Sequence, residues 1–287
     1  MTSVFALWAE GMITRGLLGL ERGNPLLSFM KTMTEINGND QVPTYSVSGG
    51  ASDLCCDVYG RSVDWLHESV SDSRTDGFLV GRGWSATDVR WKQIGDAKMH
   101  AMAINDYPET AKPRYWITGD PPGYFDRRIW LDPNVMKFCA DSYSDELLPR
   151  SSAYGRDNKM TPKDCPNVNF YHKTCNGHTF NFLWTPWVNW GTYPYTKEEG
   201  NGLRSSMLCG LRMMWHLGYR RVFLLGCDFV PHQHGRNPDY FINLQNMLTE
   251  LKPEFDKYGY QVVNTSEDSH LRAFPFMSFD KAIREAA

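Results

Sequence analysis

Long apolar runs, an excess of one charge, internal repeats and low-complexity tracts are all missing from this chain, and each absence narrows what it can be. No stretch approaches the roughly 18 consecutive apolar residues that a membrane helix requires, so no membrane span is expected. The apolar pieces between Met1 and Met30 are broken by Glu10, Arg15, Glu21 and Arg22, without the charged-then-apolar order of a secretory signal. Thirty basic side chains against thirty-three acidic ones leave a formal charge of −3. That balance argues against a nucleic-acid coat or a polybasic membrane binder, while leaving room for a local basic patch. Cysteine is sparse and odd in number: seven in 287 residues, with Cys55 and Cys56 adjacent. A chain of this size needs no disulfide staples, so reduced thiols and a cytoplasmic setting are expected.

What is present is the composition of a globular chain, 41% hydrophobic and 22% charged, long enough for a sizeable core. Aromatic residues, ten of them Trp, suit either a ligand cleft or ordinary core filling. The texture changes at about Asp76, which divides a helical N-terminal extension (1–76) from a main domain (77–287). Within the extension, Cys56 to Val70 has apolar residues at helical spacing. Beyond it, Gly77 to Gly81, His100 to Asn105, Arg114 to Thr118, Val168 to Tyr171, Arg221 to Gly226 and Tyr260 to Asn264 read as strands. Helices are expected over Ser85 to Ile94, with Ser85 as N-cap, over Leu203 to Leu217 with Gly218 closing it, and over Pro238 to Tyr258. Strands alternating with helices predict an α/β fold, a Rossmann-like, mostly parallel sheet with helices on both faces.

In such sheets ligands lie at the carboxyl ends of the strands. That rule selects Gly81-Arg82-Gly83-Trp84-Ser85-Ala86, Asn105-Asp106, Gly119-Asp120 and Gly226-Cys227-Asp228, the last followed by His232 and His234. A glycine turn feeding a helix lets a phosphate approach the backbone, and it is equally a plain strand-to-helix turn. Read as Gly-x-Gly-x-x-Ala, with Asp106 placed to hold a ribose, it also fits a dinucleotide enzyme using NAD.

Taken together, Phe78 to Ser85, the strand ending at Asn105, the strand ending at Asp120, the Gly202-to-Ser206 helix opening and the run Leu217 to Asp228 resemble one family. It comprises the bacterial sialyltransferases, the motility-accessory-factor glycosyltransferases and the 6-hydroxymethylpterin pyrophosphokinase MptE-like proteins. The resemblance spans Gly77 to about Tyr240, with Trp84 standing where the family has proline. It implies a nucleotide-sugar transferase fold with a lid, around 172–200 and 230–240, and a donor that in the sialyltransferases is a cytidine monophosphate sugar. It further implies that no metal is needed, that a lid histidine is the general base, and that Tyr hydroxyls help stabilise the departing phosphate.

The expected catalytic residues are therefore His232, His234 and Asp120, each with a plainer reading as a solvated loop or turn residue. His172 and His178 are weaker candidates for the base. Gly81, Gly83, Ser85, Asn105, Asp106, Ser205 and Ser206 are the expected nucleotide contacts, the two serines also reading as ordinary helix caps. Asp228 reads more as a structural carboxylate. Tyr193 and Tyr195 can meet a phosphate or sugar, or simply pack. Cys165, His172, Cys175 and His178 have the types of a zinc site at unusual spacing, so no metal and no separate cofactor are expected. No Asp-x-Asp motif offers the usual anchor for metal-dependent glycosyl transfer. The expected function is transfer of a sugar from a nucleotide-sugar, a CMP-sugar foremost, to an acceptor hydroxyl on a glycan or, less well supported by the charge, a hydroxylated DNA base. The other enzyme readings are pyrophosphoryl transfer from ATP with Mg²⁺ to a pterin, and NAD-dependent chemistry.

Overall fold

The computed structural model describes residues 55–56, 75–149, 159–171, 205–230 and 238–286. The chain divides into two compact units, Met1–Gly50 and Ala51–Ala287, and everything described belongs to the second. Its centre is one sheet of β1 (Cys55–Cys56), β2 (Asp76–Val80), β3 (Ala101–Ile104), β4 (Tyr115–Thr118), β5 (Met136–Ala140), β6 (Val168–Tyr171), β7 (Arg221–Leu225) and β8 (Gln261–Asn264). The order across the sheet is β1-β6-β5-β4-β3-β2-β7-β8. From β6 to β8 every pairing is parallel, and only the short edge strand β1 runs antiparallel, against β6. Residues 55–56, expected within the N-terminal extension and in part within a helix, are thus strand. The rest of that expected helix lies outside the described residues.

The strands are short apolar runs because both faces of the sheet are covered. Phe78, Val80, Ala103, Trp116, Cys139, Phe223 and Leu225 point to one face, where α1 (Asp88–Asp96), α2 (Arg127–Leu131) and α5 (Phe279–Ala286) pack. Leu79, Met102, Ile104, Ile117, Phe138 and Leu224 point to the other, under α3 (Ser206–His216) and α4 (Pro238–Lys257). The alternation within each strand gives each helix layer its own apolar partner. α3 is buried from Met207 to Trp215 and packs over β2, β3 and β4, and Gly218, at φ +96°, ends it in the left-handed conformation expected there.

Four elements were not foreseen: β1, β5, α2 and α5. β5 hides its period behind Lys137, which is fully buried and donates to the carbonyls of Asp132, Val135 and Pro166 at 2.5, 2.9 and 2.8 Å. Burial lowers its pKa to about 8. α1 also begins later than expected. Thr87, not Ser85, is its N-cap and accepts from the Arg90 amide, so the glycine turn and the helix are separated.

The chain runs outward from β2 to β6, then crosses back to place β7 on the other side of β2. That reversal opens a crevice at the carboxyl ends of the strands, where parallel sheets hold ligands.

Candidate functional site

A cavity of about 200 Å³ occupies this crevice. Gly81, Gly83, Asn105, Asp120, Ser205 and Ser206, expected together from sequence, all line it. Its apolar wall, which sequence reading did not supply, comes from Met207 and Cys209 of α3, Phe229, and Tyr240, Phe241 and Leu244 of α4.

On the β2–β7 side the polar groups satisfy one another. Gly81 and Gly83 donate their amides to the Leu225 and Gly226 carbonyls at 2.8 and 2.7 Å, and the Ala86 amide returns to the Gly83 carbonyl at 3.0 Å. Ser85 donates its amide and hydroxyl to the two oxygens of Asp228, at 2.9 and 2.5 Å. The same hydroxyl accepts from the Gly226 amide at 2.9 Å and lies 2.6 Å from Ser266 Oγ. Asp228 is 5% exposed, so this bonding is what makes its burial tolerable. The glycines here answer to packing. A Cβ on Gly83 would meet Asp228 and stand 2.6 Å from the Gly226 carbonyl oxygen, and one on Gly226, itself at φ +66°, would stand 2.5 Å from the Gly81 oxygen.

The turn departs from the dinucleotide pattern in its hydrogen bonding. A phosphate cradle needs free turn amides leading directly into a helix. Here the amides of Gly81, Gly83, Ser85 and Ala86 are committed and the helix waits until Asp88. Ser85 is not among the cavity residues, and Asp106 faces a second concavity.

On the other side the groups face the cavity. Asn105 takes φ +62°, a conformation Asn tolerates better than most residues, and Trp116 Nε1 fixes its carbonyl at 2.6 Å. Its side chain accepts from Thr118 Oγ1 at 3.2 Å and reaches Asp120 Oδ2 at 3.4 Å. Asp120, half-buried at the end of β4, is the carboxylate of this wall. Ser206 accepts from the Gly119 amide at 3.2 Å, joining the start of α3 to β4. Ser205 caps α3, yet its hydroxyl makes no capping bond, and the residue, 6% exposed, lines the cavity with no side-chain hydrogen bond among the described residues. The first closed helical bond is Cys209 N–H to the Ser205 carbonyl at 3.2 Å. The Ser206, Met207 and Leu208 amides of the first turn therefore lack intrahelical acceptors. Amides, helix dipole and the cavity-facing hydroxyl together suit an anion.

Two thiols line the cavity, and Cys227 is held neutral, its pKa pushed up to about 12 by burial and then by Asp228. Phe229 is at φ +54°, a costly conformation for a bulky residue, and its ring lies 5.5 Å from Phe241.

His232 and His234 lie outside the described residues, as do His172, Cys175, His178, Tyr193 and Tyr195. So do lid segments 172–200 and 231–237, whereas Pro238–Tyr240 open α4. Cys165 is buried and lies 3.5 Å from the Thr161 carbonyl oxygen, its pKa raised to about 11 by burial. Among the described residues no helix is long and apolar enough to cross a membrane, and no group of three or more His, Cys, Asp and Glu side chains can hold a metal.

Fold and crevice define an α/β, Rossmann-like protein with an anion-suited cavity at its topological switch point. No family model matches the chain, and no curated protein or solved structure does.

Proposed function

We propose that the protein is a nucleotide-dependent transferase of the glycosyltransferase kind, with its nucleotide in the crevice and the phosphate at the start of α3. The observation that carries this is Ser205: a cavity-facing hydroxyl on a residue only 6% exposed, without a hydrogen-bond partner among the described residues, beside open helix amides, on a cavity shared with Asn105 and Asp120. A hydroxyl that faces a cavity and is not engaged by the protein is open to a partner supplied by a ligand. An oxyanion is the partner a helix start favours.

The chemistry supported is displacement at a sugar's anomeric carbon. A base takes the acceptor's hydroxyl proton, the oxygen attacks the carbon, and the bond to the phosphate oxygen breaks. The nucleotide leaves with that electron pair, and the negative charge growing on its phosphate is met by the α3 amides and Ser205. Asp120 is placed to hold a sugar or acceptor hydroxyl, with Asn105 steadying it. His232 and His234, on sequence grounds alone, are the bases to test. A CMP-sugar is the favoured donor on the resemblance to the sialyltransferases, which implies a single-phosphate leaving group that needs no metal.

The test is calorimetric titration with CMP, nucleoside diphosphates, ATP with Mg²⁺, and NAD, followed by a metal-free assay for CMP release from a CMP-sugar. CMP should bind, and Ser205→Ala should weaken it about tenfold, the scale of one charge-assisted hydrogen bond. Binding of none of these ligands, or a Ser205→Ala affinity equal to wild type, defeats the proposal. Binding of ATP only with Mg²⁺ transfers the site to pyrophosphoryl chemistry.

A further inference from the structure

The glycine turn separates two concavities. Gly81 and Arg82 belong to the walls of both, the crevice on one side and a second hollow of about 220 Å³ on the other. The second is floored by Ala86, Trp91, Tyr107 and Pro108 and carries one acid, Asp106. Trp91 and Tyr107 are fixed, with rings 6.4 Å apart and Arg128 over the Tyr107 ring at 5.2 Å. Burial raises the Tyr107 phenol to about 12, so it stays protonated and neutral. The consecutive residues Asn105 and Asp106 thus face different hollows, one each.

Arg82 and Asp106 pair at 3.2 Å across this saddle, with side chains 47% and 36% exposed. A pair so exposed is screened and gains little net free energy, so a ligand can replace it at small cost. The acid can then accept a hydrogen bond, and the half-exposed guanidinium offers a face to a flat ring, above a floor whose Trp91 and Tyr107 are only 5% and 6% exposed.

We infer that the second hollow is the seat of the nucleobase, and that Asp106 selects a base presenting an exocyclic amino group. This rests on the nucleotide reading of the crevice: the phosphate lies at α3, the sugar crosses Gly81 and Arg82, and the base ends against Asp106. Cytosine offers Asp106 an amino donor. Uracil puts a carbonyl oxygen at the equivalent position, which a carboxylate repels. A site built around such a bond discriminates against the analogue lacking it.

The experiment titrates CMP, UMP and inorganic phosphate separately into wild type, Asp106→Asn and Ser205→Ala. In wild type CMP should bind on the order of tenfold more tightly than UMP, as one hydrogen bond to a charged group allows. Asp106→Asn should bring the two within about threefold, since an amide can turn to donate or accept. Its phosphate affinity should match wild type. Asp106 is partly exposed, so this variant should fold, with an unchanged melting temperature as the control. Equal binding of CMP and UMP by wild type, or a preference that survives Asp106→Asn, overturns the base seat. The crevice reading stands in either case if Ser205→Ala still weakens CMP. Failure of both nucleotides to bind wild type overturns both.

Discussion

On the β2–β7 wall of the crevice, serine, aspartate and backbone amides are spent on one another. On the β3–β4–α3 wall the same kinds of group are left facing the cavity. Ser85 makes contacts with Asp228, Ser266 and Gly226, whereas Ser205 makes no side-chain capping bond although it is nearly as deeply placed as a core residue. Asp228 is enclosed and doubly bonded by Ser85, whereas Asp120 is half-buried and accepts one long bond from Asn105. A polar group at a strand end is thus not in itself a ligand group. What distinguishes the two walls is whether the protein has already supplied the partner.

The contrast can be broken most forcefully at Gly226. A methyl there meets the Gly81 carbonyl oxygen at 2.5 Å on a backbone at φ +66°. Gly226→Ala should cost about 3 kcal/mol from overpacking and left-handed strain together. Thermal unfolding should show a fall on the order of 10 °C, and a melting point within a degree or two of wild type would remove the packing account of the glycines.

Asp228→Ala comes next. It strips the Ser85 amide and hydroxyl of their acceptor, which should cost about 2 kcal/mol in denaturant unfolding. CMP affinity of the folded fraction should change by less than about threefold, because the loss is structural and the helix start is untouched. A large affinity loss with stability intact would place Asp228 on the wrong wall.

Ser205→Ala should do the reverse. With no capping bond to lose, its stability should move by less than about 0.5 kcal/mol, below the usual price of removing a serine cap. The same protein should show the weakened CMP binding described above. A stability loss near 2 kcal/mol would mean that Ser205 is a structural cap after all.

The smallest effect concerns Cys227. Burial holds its thiol near 12, above the ordinary value of 9.0, so the folded state keeps a proton that the unfolded state gives up. The stability this contributes is complete below pH 9 and is lost as pH climbs towards 12. Cys227→Ala should therefore show a shallower alkaline decline than wild type. Peptide mapping after iodoacetamide at pH 8 should find Cys227 unlabelled in the native protein, since the neutral buried thiol is a poor nucleophile.

The strands and helices that the sequence announced are those whose burial is continuous or evenly periodic. Phe78-Leu79-Val80 and Val222-Phe223-Leu224-Leu225 are solvent-free and apolar throughout, and both were legible. β5 was not, because Lys137 interrupts it and only the carbonyls of Asp132, Val135 and Pro166 make that lysine a core residue. The start of α1 was misplaced for a related reason: Ser85 looks like a cap, but its hydrogen bonds lead across the sheet. The crevice members at Gly81, Asn105 and Asp120 were legible from the strand-end rule, which needs only local pattern and parallel topology, and Ser205 from its place at a helix start. The Tyr240 and Phe241 wall had no such signal, since a helix's inward aromatics look alike whether they meet a core or a cavity.

The sequence by itself determined the layered α/β plan, because hydrophobic period is a local property and each period admits few ways to be buried. Only the tertiary structure decided the roles of the polar residues. Ser85 and Asp228 stand 143 positions apart, and nothing local joins them. Their pairing, and the absence of one for Ser205 among the described residues, follow from which strand ends the crossover from β6 to β7 brings together. A hydrogen bond acts over about 3 Å, so its partner is fixed by where the chain returns in space, not by neighbours in sequence.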